Sequence, residues 1–226
     1  MKVEFKVDGG DYIIPEKITI NQYQLIQGKQ DIMGMDKSLF ILSVLSGCPI
    51  DTLRRIKSSD SAELFRYANK LFLDSDTKFY QTLELDGSKF GFIPKMNDIT
   101  LGEFLDLDLF VTEGSIKNLH KIMAVLYRPL IFGDDVLGKF RWEIEEYEQT
   151  TFEDRAEFFK GLPVHYAMSA SSFFFHLGME SIKLIQDSLV SQKKMTLQEI
   201  QTLEKLQQLG MMMDQGLMNT GDGMQS

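Results

Sequence analysis

Few residues of this chain have the types and spacing that catalysis or metal binding requires. The three histidines are His120, His165 and His176. His165 and His176 could share a helix face, but about 16 Å would separate them along the axis at 1.5 Å per residue. That distance excludes a shared metal ion, and we expect a hydrogen-bonded structural role for each imidazole.

Acidic residues are the second candidates for chemistry. Asp134 and Asp135 are adjacent, and an acidic run surrounds Trp142: Glu143, Glu145, Glu146 and Glu148. Neighbouring carboxylates of this kind usually lie in water, so a solvated strand and loop edge is the favoured interpretation. A metal site at the aspartates and a salt-bridging partner surface at the glutamates are the alternatives.

The chain carries none of the common catalytic or nucleotide-binding motifs. It has no P-loop, no GxGxxG after a strand, and no GxSxG, HExxH or CxxC pattern. The lone Cys48 lies in an apolar run, which favours a buried thiol that acts as a small hydrophobe. We therefore predict a non-enzymatic protein with no catalytic residues, no cofactor and no metal.

Composition limits the classes of partner. The formal net charge is −9 and the sequence has no cluster of lysine and arginine, so the cationic contacts that bind a phosphate backbone are missing. The sequence has no stretch of 18 apolar residues, which is about the length that a membrane-spanning helix requires. With one cysteine and no apolar signal region at its start, the chain is expected to be made and kept in a reducing cytoplasm.

Two blocks of the sequence resemble each other, which indicates an internal duplication. Residues 3–15 read VEFKVDGGDYIIP, and residues 80–94 read YQTLELDGSKFGFIP. Each continues into a helix pattern, ITINQYQLI at 18–26 and ITLGEFLDL at 99–107. Alternating apolar residues around Asp-Gly indicate a β-hairpin. Both blocks are thus predicted to be a hairpin followed by helices, as in proteins built by repetition.

The helix starts of the two blocks carry the same capping signal. Thr19 is followed three residues later by Gln22, and Thr100 by Glu103. In such a capping box the Thr hydroxyl and the Gln or Glu side chain satisfy backbone N–H groups that the first helical turn leaves without partners. These four residues are the predicted helix caps.

We expect an α+β fold, mainly α-helical, with a duplicated hairpin-plus-helices unit and a C-terminal helical region. The second repeat should include a helix over 114–128, and alternation indicates a strand at 140–144. The predicted organisation is a first repeat over 1–77, a second over 78–132, a helical cap sharing the core over 133–190, and an amphipathic helix with a Met-rich flexible tail over 191–226.

The C-terminal segment is the predicted partner-binding region. Apolar residues follow heptad-like spacing and are succeeded by a methionine run: Leu197, Ile200, Leu203, Leu206, Leu209, Met211, Met212 and Met213. Methionine is flexible and polarizable, which suits a surface that accepts varied apolar partners. An unselected tail is the competing interpretation.

Several phrases together carry a family resemblance: the hairpin ending FIP, then DITLGEFLDLD, AVLYRPL, DRAEFFKGLPV and FFFHLG. This pattern resembles the T-even-type baseplate hub and tail-assembly proteins of tailed bacteriophages. It spans roughly 1–190 and rests mainly on 79–178. The first repeat departs from it, with Asn21 in place of Gly102 and SGCPI in place of YRPLI.

The resemblance implies a non-enzymatic tail or baseplate assembly factor, a chaperone or hub-associated protein that binds apolar helices of a tape-measure or hub component. It implies location in the host cell cytoplasm, with retention in the virion left open. Self-association also stays open, and neither nucleic acid nor membrane is expected as a partner. The alternatives are a permanent virion protein of the baseplate, connector or capsid interior, and a host-directed regulator or uncharacterised enzyme.

Overall fold

The computed structural model describes residues 2–73, 78–95, 99–136 and 139–174, together with 204–206 and 208. The chain divides into two compact units. The first unit is Met1–Thr77 with Lys160–Tyr166, and the second is Lys78–Phe159 with Ala167–Ser226.

Each unit begins with a hairpin and continues into helices. In the first unit the elements are β1 (Val3–Val7), β2 (Gly10–Ile14), α1 (Ile20–Gln27), α2 (Gly34–Ser46), α3 (Ile50–Leu53) and α4 (Ser58–Leu73). In the second they are β3 (Thr82–Leu85), β4 (Ser88–Phe92), α5 (Leu101–Thr112), α6 (Leu119–Leu126), β5 (Tyr127–Val136), β6 (Lys139–Ile144) and α7 (Phe152–Phe159). A further helix, α8, begins at 164 and is described to 174.

The two hairpins have the same turn. Asp8 and Gly9 have φ values of 49° and 79°, and Asp86 and Gly87 have φ values of 48° and 79°. Two successive residues with positive φ make the type I′ turn, whose twist matches that of the flanking antiparallel strands. Aspartate tolerates this region better than most residues and glycine adopts it freely. The Asp-Gly pair therefore fixes the register of both hairpins.

Only the second hairpin is extended into a larger sheet among the described residues. Its strands follow the order β3-β4-β5-β6, and all neighbours are antiparallel. At Gly91 of β4, an added Cβ would lie 2.7 Å from both Trp142 and Ile144. The absence of a side chain at Gly91 therefore allows β6 to pack over β4, where the Trp142 indole N–H donates to the carbonyl of Phe92, 2.6 Å away.

The core of the first unit lies between its hairpin and its helices. Ile20, Tyr23 and Ile26 form the buried face of α1, at the spacing of helical turns. The α2 helix ends at Gly47, which has a φ of 72° in the left-handed region that favours glycine at a helix C-terminus. The buried Cys48 follows, and the Tyr67 hydroxyl of α4 donates to the carbonyl of Pro15.

The second unit packs around α6 and a set of phenylalanine rings. Every residue of α6 except Lys121 is buried, so this short helix is central to its unit. Phe79 stacks on Phe173 of α8 with ring centroids 3.7 Å apart, and Phe92 meets Phe79 edge-on. Such aromatic pairs add to the burial of apolar surface.

A short segment far along the chain completes the first unit. The backbone N–H groups of Ile20 and Asn21, the first two residues of α1, donate to the carbonyls of Leu162 and Lys160 at 2.9 and 3.0 Å. The N–H of Val164 donates in turn to the carbonyl of Ile18. These N–H groups have no partner within their own helix, so residues 160–164 (the covering segment) close the start of α1.

The fold class predicted from the sequence, α+β, is confirmed. The helix predicted over 114–128 is wrong at both ends: α6 covers Leu119–Leu126, and Tyr127 already begins β5. The region predicted as a helical cap over 133–190 is divided, because β6 joins the sheet and residues 160–166 belong to the first unit. No helix of the described residues is long and apolar enough to cross a membrane.

Candidate functional site

The structure describes two of the three histidines and the single cysteine. His120 is buried in α6, and the ring of His165 lies 3.2 Å from the Lys17 amine in the first unit. Cys48 is fully buried, and burial raises the pKa of its thiol. Among the described residues no three His, Cys, Asp or Glu side chains are grouped as metal ligands would be. His176 lies outside the described residues.

The acidic run around Trp142 is solvated. The side chains of Glu143, Glu145, Glu146 and Glu148 are exposed, while Trp142 is half-buried against β4. Asp134 and Asp135 lie in β5, where their register partners are Arg141 and Phe140.

Of the residues predicted for partner binding, the structure describes one. Leu206 lies in a helical turn over 204–206, where it is half-buried and its neighbours Glu204 and Lys205 are exposed. The remainder lie outside the described residues: Leu197, Ile200, Leu203, Leu209, Met211, Met212 and Met213. Their role in binding stays a prediction.

The capping box of the first unit is neutral. The backbone N–H of Gln22 donates to the Thr19 hydroxyl oxygen at 3.2 Å, and the N–H of Thr19 donates to the Gln22 side-chain oxygen at 3.0 Å. The Gln22 amide nitrogen also lies 3.4 Å from the carbonyl oxygens of Val44 and Leu45. One uncharged side chain thus joins the start of α1 to the end of α2.

The capping box of the second unit carries a buried charge. The N–H and hydroxyl of Thr100 donate to one carboxylate oxygen of Glu103 at 2.7 and 2.8 Å. The other carboxylate oxygen pairs with the Arg128 guanidinium at 3.0 Å. Both side chains are at least nine-tenths buried, and an ion pair taken out of water needs such hydrogen bonds to offset its desolvation.

A second buried arginine completes this cluster. Arg155 of α7 donates to the carbonyl of Ala124, at the end of α6, at 3.0 Å. Burial lowers the pKa of both Arg128 and Arg155, and Glu103 partly opposes this for Arg128. Burial, followed by the hydrogen bond to Asp106, raises the pKa of Tyr147. The cluster thus connects α5, β5, α6 and α7 through Glu103, Arg128 and Arg155.

The exposed face of α5 is the feature that packing does not explain. Leu101, Leu105 and Leu109 are 74%, 53% and 49% exposed, and their spacing of four residues aligns them on one side of the helix. We call these three residues the outer leucine face. The opposite side of α5 holds the buried residues Glu103, Leu107, Phe110 and Val111.

Acidic residues flank the outer leucine face. At 100° per residue, Asp108 falls on one side of it and Asp106 and Glu113 fall on the other. This face was not predicted from the sequence, although the sequence of α5 carries a signal for it. The segment LGEFLDLDLFVT has apolar residues on two sides of the helix, which is more than one buried face requires.

The comparisons with protein-family models, curated proteins and solved structures found no match to this chain. Among the described residues of the second unit, the outer leucine face is a set of three aligned exposed leucines, and Ile131 and Phe132 of β5 are exposed as well.

Proposed function

We propose that the protein is a non-enzymatic assembly factor of a bacteriophage tail or baseplate, which binds an apolar helix of a tail component in the host cell cytoplasm. The observation that carries the proposal is the outer leucine face of α5, formed by Leu101, Leu105 and Leu109. The family resemblance of residues 79–178 supports the setting.

The hydrophobic effect favours binding of a partner to the outer leucine face, because leucine side chains are more stable buried than in water. Burying one leucine side chain contributes about 1.5–3 kcal/mol relative to exposure, so three aligned leucines offer a substantial part of a helix–helix contact. Soluble proteins rarely expose contiguous apolar surface without a partner for it. A helix lying along α5 would bury all three at the spacing of its own turns.

The charges around the face select the partner's chemistry. Asp108 and Glu113 flank the leucines, and the whole chain has a net charge of −9. The complementary ligand is an amphipathic helix with a leucine-type stripe bordered by lysine or arginine. A tape-measure or hub component that exposes such a helix before assembly is the proposed partner. The C-terminal leucine and methionine residues are a proposed second contact.

The test replaces two leucines of the face by glutamine, the residue type that the first unit has at the position equivalent to Leu105. Counting from the capping threonines, Leu105 corresponds to Gln24. We expect the variant Leu105→Gln/Leu109→Gln to remain folded and to give few normal tails when it replaces the wild-type chain during infection. The control is Leu25→Gln, a half-exposed leucine of α1, which should leave the yield of tails unchanged.

The readouts are the number of normal tails and the tail component recovered with the purified chain. Undiminished tails and recovery with the double variant would overturn the proposal. Protein analysis of finished particles then separates an assembly factor, which is absent from them, from a permanent virion protein, which is present at fixed stoichiometry.

A further inference from the structure

The covering segment pairs in an antiparallel manner with the residues that lead into α1. The N–H of Ile20 donates to the carbonyl of Leu162 at 2.9 Å, and the N–H of Val164 donates to the carbonyl of Ile18 at 2.8 Å. Two such hydrogen bonds flank a residue pair that has no mutual backbone hydrogen bonds of its own. The covering segment therefore binds the start of α1 as a short extended peptide would, through backbone groups.

Proline fits the centre of this segment for a physical reason. Pro163 is the bridge partner of Thr19, and at such a pair the backbone N–H points away from the neighbouring strand. The N–H that proline lacks is therefore not needed. Leu162, the residue before it, is fully buried, so the segment contributes an apolar side chain as well as carbonyl groups.

The second unit has the same backbone at the start of α5. Thr19 and Thr100 have φ values of −78° and −77° and ψ values of 162° and 159°, and each closes a capping box. Among the described residues, however, no backbone carbonyl accepts from the N–H of Leu101 or Gly102, and no backbone N–H donates to the carbonyl of Ile99. The groups that hold the covering segment in the first unit thus have equivalents in the second unit without a segment bound to them.

Exposure differs between the two units in the same way. Ile18 is 3% exposed and Ile20 is fully buried, whereas Ile99 is half-buried and Leu101 is 74% exposed. Within the described part of the chain, the nearest atom to a Cβ added at Gly102 is 3.9 Å away. The space beside the first turn of α5 is therefore open at the positions where the first unit is covered.

We propose that residues 99–102 (the open cap) bind an extended segment of a second protein, in the way that the covering segment binds the start of α1. The segment has an apolar residue, then proline, then a residue with a free N–H. The carbonyl of the apolar residue accepts from the N–H of Leu101, and its side chain covers that leucine. The free N–H donates to the carbonyl of Ile99, and a carbonyl two residues before the apolar one accepts from the N–H of Gly102.

The occupant is a second protein rather than a second copy of this chain. In each copy the covering segment is already hydrogen-bonded to the start of α1. The inference goes beyond the proposed function, because it assigns an extended ligand to backbone groups of the open cap. Leu101 belongs to both surfaces, but Leu105 and Leu109 lie one and two turns further along α5 and are not part of the open cap.

The probe is a synthetic peptide with the sequence of residues 159–165, FKGLPVH, blocked at both ends. Added to the isotope-labelled full chain up to millimolar concentration, it should shift the amide NMR signals of Leu101 and Gly102 and protect both amides from hydrogen exchange. The amide signals of Ile20 and Asn21 should not move, since the chain's own covering segment already accepts hydrogen bonds from them.

Proline at position 101 removes a donor of the open cap without disturbing α5. The first helical position favours proline, because its N–H has no partner within the helix, and the extended backbone of Thr100 suits a residue before proline. The matched control Leu101→Ala loses the side chain but keeps the N–H. Leu101→Pro should bind the peptide about fivefold more weakly than Leu101→Ala, with a similar unfolding midpoint. On the peptide, Val164→Pro removes the N–H that donates to Ile99 and should weaken binding by a similar factor.

The double variant Leu105→Gln/Leu109→Gln separates this inference from the proposed function, and it should bind the peptide as the wild type does. Unmoved Leu101 and Gly102 signals, equal affinities of Leu101→Pro and Leu101→Ala, or loss of peptide binding in the double variant would each overturn the proposal. Protection of the Leu101 and Gly102 amides in the chain alone would also overturn it, because the chain would then close the open cap itself.

Discussion

The two units use one capping position for different purposes. In the first unit the position holds Gln22, whose amide reaches the carbonyl oxygens at the end of α2. In the second it holds Glu103, which has no N–H to donate and carries a charge. Arg155 supplies the donor to the end of α6, and Arg128 balances the charge. Where the second unit has a carboxylate in place of the amide, two buried arginines supply the missing donor and the balancing charge.

The units also differ in what lies over the start of the capped helix. Ile20 is fully buried, and the covering segment accepts hydrogen bonds from Ile20 and Asn21. The corresponding Leu101 is 74% exposed, and among the described residues no backbone carbonyl accepts from Leu101 or Gly102. The first unit therefore closes this surface with its own chain, while in the second unit the first residue of the capped helix stays exposed.

The largest expected effect tests the charged version of the capping box. Arg128→Met should lower the free energy of unfolding by about 3–5 kcal/mol, because it leaves the Glu103 carboxylate buried without its cation. Chemical denaturation monitored by circular dichroism measures the loss. The variant Glu103→Gln/Arg128→Met restores the neutral side chain that the first unit has, and it should recover most of the loss. Equal losses for both variants would show that the charge is not the cause.

A smaller effect tests the packing of β6 on β4 in the sheet of the second unit. Gly91→Ala places a Cβ 2.7 Å from Trp142 and Ile144, and such overpacking typically costs about 1–3 kcal/mol. Counting from the shared turn, Ile13 is the equivalent residue, and it is 46% exposed. Ile13→Ala should change the free energy of unfolding by only about 0.5 kcal/mol. A harmless Gly91→Ala would mean that β6 does not pack on β4 this closely.

The smallest effect compares the two caps directly. Thr19→Ala should cost about 1 kcal/mol of unfolding free energy, as loss of a helix cap usually does. Thr100→Ala should cost more, about 2 kcal/mol, because the Thr100 hydroxyl donates to the buried Glu103 carboxylate at 2.8 Å, whereas the Thr19 hydroxyl donates to the neutral Gln22 oxygen at 3.3 Å. Thermal unfolding of the two single variants, measured in parallel, gives the order. The reverse order would contradict the role of the charge.

Local signals made part of this fold predictable. The Asp-Gly turns require positive φ, and the Thr-x-x-Gln and Thr-x-x-Glu boxes satisfy N–H groups within one helical turn. The predicted C-terminal end of the helix over 114–128 was wrong for a physical reason. Tyr127 continues the apolar spacing of α6, but its backbone instead pairs with Phe92 of β4. Pairing between distant strands thus overrides a local helical pattern.

The sequence by itself determined the elements whose hydrogen bonds close within a few residues: the hairpin turns, the capped helix starts and the α+β class. Tertiary structure alone decided that the covering segment returns to α1, that Arg128 and Arg155 meet around Glu103 and α6, and that the outer leucine face stays exposed. Those outcomes depend on contacts between residues far apart in sequence. Residue types and their spacing show which face of an element is apolar or charged, but only packing decides which of these residues are buried.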